Sequence, residues 1–206
     1  MNSLLDLLGG LRVIPVLTVV SAAQAVAVCR ALRAGGIGGV EITLRTAAAF
    51  DAITAVQSEL DNFVVGAGTV KSATDVEKLK RLNVAFAVSP GLTPALSDAA
   101  TANELPLLPG VATASEILAG LETGRTFFKL FPAEAVGGIP LLKSFSAPFG
   151  EVKFCPTGGI SPANYRCYLA LPNVVCVGGS WMVAAELLVA ENWQKISDLS
   201  RECMAG

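Results

Sequence analysis

One lysine stands inside a strongly apolar run, Phe127-Phe128-Lys129-Leu130-Phe131-Pro132. Burying an amine is costly unless it is paired or neutral. Strand alternation sets Phe127, Lys129 and Phe131 on one face and Phe128 and Leu130 on the other. Either the amine snorkels out of a strand end, or an apolar pocket holds it, favours its neutral form and makes it a nucleophile. A second polar set is Glu41-Ile42-Thr43-Leu44-Arg45-Thr46, where Glu41, Thr43 and Arg45 share one face. A carboxylate on the inner side of a sheet is a candidate for proton transfer, and a structural Glu-Arg pair bridging the strand end is the alternative.

Small residues mark the other candidate positions. Gly66-Ala67-Gly68-Thr69 suits either close approach of a small ligand beside a hydroxyl or a tight turn. Ser89-Pro90-Gly91 and Leu108-Pro109-Gly110 read, taken alone, as turns. Two Gly-Gly pairs are more pointed: Thr157-Gly158-Gly159-Ile160-Ser161-Pro162 and Val177-Gly178-Gly179-Ser180-Trp181. Glycine pairs expose backbone N–H groups, and oriented N–H donors at a helix start bind phosphate.

Composition limits the chemistry. The 206 residues contain no histidine, which removes the commonest general base and metal ligand. Carboxylates, lysine, hydroxyls and thiols must do the work, with no metal and no cofactor expected. A net charge of −2 argues against nucleic acid and anionic membranes as partners. No apolar run reaches the roughly 18 residues of a membrane span, and the N-terminus lacks a basic leader before an apolar stretch, against a signal peptide. The five cysteines are odd in number and form no C-x-x-C pair, so they read as reduced, cytosolic, mostly buried thiols.

The elements that must carry these residues alternate in type. A short amphipathic helix spans 2–9 and closes at Gly9-Gly10. Strands are expected at Val13–Val20, Val40–Leu44, Phe63–Ala67, Val84–Ser89, Leu105–Leu108, Thr126–Phe131, Glu151–Cys155 and Val174–Val177. Each is followed by a helix. Those helices start at Ser21, at 47, at Ala73, at Pro94, at Ala114 with a Thr113/Glu116 capping box, at Ile139, at Ser161 as N-cap before Pro162, and at Ala184, the last running to the end. With apolar strands roughly 20–25 residues apart, this predicts a parallel sheet covered by helices. Eight such units predict one domain over 1–206, a (β/α)8 barrel with a short N-terminal helix, whose strand C-termini carry function. An open doubly wound sheet is the alternative, but no G-x-G-x-x-G follows the first strand.

Several stretches, in order along nearly the whole chain, resemble the 2-keto-3-deoxy-6-phosphogluconate aldolase family, class I pyruvate aldolases with a (β/α)8 fold. They are Gly39–Thr46, Gly66-Ala67-Gly68-Thr69-Val70, Ser89-Pro90-Gly91, Phe128-Lys129-Leu130-Phe131-Pro132-Ala133-Glu134, Pro156–Tyr165 and Val177–Trp181. The resemblance implies a Schiff base on Lys129 and acid/base work by Glu41. It implies Arg45 and Thr69 on a pyruvyl carboxylate, Gly158, Gly159, Gly179 and Ser180 on phosphate, and Pro90, Phe131 and Thr157 lining the pocket. Leu130 departs from the phenylalanine expected there, on the outward face. Thr157 and the Ser-Pro-Gly of strand four favour a gluconate over a galactonate substrate. A phosphorylated keto acid as substrate, 4-hydroxy-2-oxoglutarate as a possible second one, a homotrimer and a cytoplasmic location are further expectations. A phosphosugar isomerase on the same barrel would keep the phosphate loops without a buried lysine. A non-catalytic phosphosugar-binding protein would bind without turnover.

Overall fold

The computed structural model describes residues 4–205. Helix α1 (Leu4–Leu11) leads into β1 (Val13–Leu17), α2 (Ala22–Ala34), β2 (Gly39–Thr43), α3 (Ala49–Glu59), β3 (Val64–Gly68), α4 (Ala73–Arg81), β4 (Phe86–Val88) and α5 (Pro94–Ala102). There follow β5 (Leu107–Leu108), β6 (Gly110–Val111), α6 (Ala114–Glu122), β7 (Phe127–Leu130), α7 (Gly138–Phe145), β8 (Lys153–Pro156), α8 (Tyr165–Leu169), β9 (Val177–Gly179), α9 (Ala185–Val189) and α10 (Trp193–Met204).

All strand pairs are parallel, and the sheet curls with helices on its outside. Six strands run in the order β5-β4-β3-β2-β1-β9, and three more in the order β6-β7-β8. Six plus three strands thus stand among the described residues where one closed ring of eight was expected. The reason lies partly at Pro109. The expected fifth strand, Leu105–Leu108, is two short segments, Leu107–Leu108 on β4 and Gly110–Val111 on β7. Proline between them has no N–H to continue the ladder, although its carbonyl accepts from the Lys129 N–H at 2.9 Å. At the other seam only isolated bridges, Phe154 to Val174 and Thr157 to Gly178, link β8 toward β9.

The alternation read from sequence sorts the side chains as expected. Val40, Ile42, Phe128, Leu130 and Phe154 pack in the outer core beneath the helices. Ile14, Phe86, Val88, Leu108, Phe127, Cys155 and Cys176 form a second cluster inside the curl, and Leu8 of α1 closes it from the strand-start end. A sheet buried on both faces needs such near-continuous apolar strands. Close packing inside is tight: a Cβ at Gly66 would lie 2.2 Å from the Phe86 ring.

Helix starts follow local chemistry. Ser21 accepts from the Gln24 N–H, and Thr93 accepts from the Leu96 N–H with Pro94 in the first turn. Thr113 and Glu116 form the expected capping box, and Ser72 and Asp75 form another. Three expectations need correction. α1 runs on to Leu11, past Gly9-Gly10, and ends where Arg12 turns left-handed (φ 56°); residues 2 and 3 of the expected helix lie outside the described residues. Ser161 is not an N-cap: its own N–H donates to Asn164 Oδ1, and α8 starts only at Tyr165. The C-terminal helix is interrupted by a left-handed Glu191, after which Asn192 caps α10 through the Lys195 N–H. No helix of the described residues is long and apolar enough to cross a membrane.

Candidate active site

The curl brings together residues that the chain keeps apart. β2 lies between β1 and β3, with Glu41 opposite Val16 and Gly66. β7 places Lys129 opposite Gly110 and Cys155. Both side chains point to the inner face, and Lys129 Nζ stands 3.4 Å from Glu41 Oε1. The residues are 4% and 3% exposed, so the lysine does not snorkel and water does not screen the pair. Lys129 also lies over the Phe131 ring, 5.2 Å from its centroid. Phe127 packs in the inner cluster one alternation earlier on the same face. The carboxylate sits against bare backbone at Gly68, in the space a side chain would take: a Cβ there would fall 2.1 Å from Glu41 Oε1.

Further along β2, Thr43 is fully buried and shares a 2.7 Å hydrogen bond with Thr18. Arg45 follows at the exposed rim, where its Nε–H donates to Thr69 Oγ1 at 3.1 Å. Thr69 sits in the left-handed region (φ 59°), a strained setting for a β-branched residue that serves to aim the hydroxyl at Arg45. Arg45 keeps the rest of its guanidinium fork for a planar anion.

A cavity of about 340 Å³ is bounded by Arg45, Phe131, Thr157, Gly158, Gly159, Gly179 and Ser180 among others; Lys129 and Glu41 do not line it, and Phe131, whose ring Lys129 faces, links the pair to it. Gly158 and Gly159 are both left-handed (φ 99° and 80°), which only glycine adopts cheaply. Thr157 is buried against Gly178, where a Cβ would lie 2.4 Å from its Oγ1. Of the residues expected at the site, Thr69 reaches it through Arg45. Pro90 does not line the cavity; it is exposed, and its carbonyl packs on Gly110, the strand partner of Lys129.

Four contributors went unread in the sequence. Thr18 lies just past the end of β1 at Leu17, but the expected strand ran on to Val20 and left it inside an apolar run. Glu134, Asn164 and Tyr168 hold the Gly158-Gly159 turn from behind, and only the packing of α8 reveals them. The Tyr168 O–H donates to Glu134, and burial together with that carboxylate pushes the phenol pKa up. Among the described residues no group of three or more His, Cys, Asp or Glu is placed to hold a metal.

A buried amine at contact distance from a buried carboxylate can attack a carbonyl and pass protons without any cofactor. On a curled α/β sheet, with an anion-sized cavity at the strand ends, this defines the class: lysine-dependent carbonyl enzymes. Comparison with known proteins narrows it. The chain belongs to the KDPG and KHG aldolase family, whose model matches residues 5–199. It is 48% identical to the KHG/KDPG aldolase of Escherichia coli K12 over 94% of this chain and 91% of that protein. It superposes with a TM-score of 0.93 and 43% identity on a Legionella pneumophila KDPG aldolase holding pyruvate as a covalent carbinolamine, covering 96% of both chains. A Zymomonas mobilis 2-keto-3-deoxy-6-phosphogluconate aldolase with 3-phosphoglycerate matches at 0.89 and 43%, over 96% of this chain and 93% of that one.

Proposed function

We propose that this chain is a class I aldolase that cleaves 2-keto-3-deoxy-6-phosphogluconate to pyruvate and glyceraldehyde 3-phosphate. The observation that carries the reading is the buried Lys129–Glu41 contact, joined through Phe131 to the glycine-walled cavity. The neutral Lys129 amine attacks the C2 ketone, and Glu41 carries protons as the carbinolamine loses water to give an iminium. The iminium draws the electrons of the C3–C4 bond as the C4 hydroxyl gives its proton to Glu41, directly or through water. Glyceraldehyde 3-phosphate leaves, the enamine takes a proton at C3, and water releases pyruvate and the free amine.

Arg45, with Thr69 holding its Nε–H, grips the pyruvyl carboxylate. Gly158, Gly159, Gly179 and Ser180 take the phosphate, remote binding that drives the reacting bond into place. Phe131 and Thr157 shape the pocket, and Pro90 acts from outside it through Gly110, the strand partner of Lys129. The covalent pyruvate of the Legionella relative and the phosphorylated ligand of the Zymomonas relative support both halves of this assignment. The gluconate rather than the galactonate epimer is the substrate, supported by Thr157 at the cavity wall. Cleavage of 4-hydroxy-2-oxoglutarate is a second activity, supported by the double designation of the Escherichia coli relative.

The whole chain works as one domain, a closed eight-stranded barrel, supported by the single-residue gap at Pro109 and the Thr157–Gly178 bridge. It is a cytoplasmic homotrimer, supported by five unpaired thiols and by a composition that is 52% apolar.

Borohydride reduction in the presence of pyruvate tests the mechanism. Peptide mass spectrometry is expected to find a pyruvyl adduct on Lys129, and its absence sinks the Schiff-base mechanism. Lys129→Ala is expected to abolish cleavage while the far-UV circular dichroism stays native.

A further inference from the structure

The Gly158-Gly159 turn is conformationally expensive, since two consecutive left-handed glycines have the most freedom to lose on ordering. The structure spends three hydrogen bonds on its carbonyls alone. Thr157 O accepts from the Ala133 N–H at 2.8 Å, Gly158 O from the Glu134 N–H at 3.1 Å, and Gly159 O from Asn164 Nδ2 at 3.0 Å. In a trans peptide the C=O and the following N–H point in opposite directions. Anchoring these three carbonyls therefore turns the N–H groups of Gly158, Gly159 and Ile160 away from the 133–134 segment and Asn164. All three residues line the cavity.

The 133–134 segment is held by backbone bonds, among them the Gly138 N–H to Ala133 O at 2.8 Å, and by the Glu134 side chain. That side chain lies flat against Gly159, where an added Cβ would fall 2.5 Å from Glu134 Cγ. Its carboxylate accepts the O–H of Tyr168, a fully buried phenol one helical turn after Asn164. Gly138 leaves the space for that contact, because a Cβ there would lie 2.6 Å from the Tyr168 oxygen and 2.9 Å from Glu134 Oε1.

We propose that Glu134, held by Tyr168, is a positioning residue that sets the Gly158-Gly159 turn for phosphate and so determines the preference for phosphorylated over unphosphorylated keto acids. This rests on the phosphate role given to that turn above. Glu134 touches neither Lys129 nor the reacting carbons and acts through the turn alone.

The test compares kcat/KM for 2-keto-3-deoxy-6-phosphogluconate with that for unphosphorylated 4-hydroxy-2-oxoglutarate. Glu134→Ala and Tyr168→Phe are each expected to lower the ratio about tenfold, the worth of one well-made hydrogen bond. The change should fall in KM rather than kcat. Glu134→Gln, whose amide oxygen still accepts from Tyr168, is expected to restore most of the ratio. A fall shared equally by both substrates, or a ratio that does not move, overturns the proposal. If Glu134→Ala does not fold, Tyr168→Phe decides it, because it removes only one oxygen. Wild-type protein supplies the separate check on the underlying reading: inorganic phosphate should compete with the phosphorylated substrate. If it does not, the phosphate assignment of the turn fails, whatever Glu134 does.

Discussion

Lys129 shows how little a single residue's neighbours decide. In the sequence it is a lysine among phenylalanines, equally consistent with a snorkelling side chain. In the fold it is enclosed and 3.4 Å from a carboxylate contributed by a strand 88 residues away in sequence. A pair this buried has little freedom, and the carboxylate occupies the space a side chain at Gly68 would take. Gly68→Ala would drive a methyl group into Glu41 Oε1. We expect kcat to fall about 10²-fold, as small displacements of a catalytic group do. The melting temperature should fall as well, because the displaced carboxylate is buried, which differential scanning calorimetry beside steady-state kinetics would show. Unchanged kcat would mean that the position of Glu41 is not limiting. The same scale separates the thiols. Cys29 is pushed up to about 12 by burial, and burial also raises Cys176 and Cys203, while Cys167 is exposed. The thiolate is the reactive form, so a raised pKa slows alkylation. Near pH 8 a thiol reagent should modify Cys167 rapidly and the other four only on unfolding, countable by intact mass.

At the scale of elements, the helices stand where their caps put them and the strands where pairing allows. Thr113 caps α6 and Glu116 answers it with bonds to the N–H groups of Ala112 and Thr113, at 2.7 and 2.9 Å. Thr113→Ala removes one side of this box and should cost about 1 kcal/mol. It should lower the urea midpoint without changing the m-value. These starts were legible because a cap is a local event among four residues. The start of α8 was not, since Ser161-Pro162 looks like a cap and first turn. There the Asn164 side chain is committed to holding the Gly158-Gly159 turn, and the helix waits until Tyr165. The break at Glu191 was missed for a related reason: only φ, not residue type, distinguishes it.

For the whole molecule, the decisive feature is that parallel strands in sets of six and three curl until a glutamate on the first set faces a lysine on the second. Light scattering after size exclusion should give three times the 21.2 kDa chain mass. A monomer would remove the trimer from the proposed function while leaving the site intact. The sequence by itself determined the α/β class, the faces of β2 and β7 and the absence of histidine chemistry, because each depends on period-two alternation or on composition. Only the tertiary structure decided that Lys129 meets Glu41, that the strand ladder breaks at Pro109 and that Pro90 stays outside the cavity lining. It alone brought Glu134, Asn164 and Tyr168 behind the Gly158-Gly159 turn. Those outcomes depend on the curvature of the sheet and on which helix packs over which loop, distances through space that no spacing along the chain encodes.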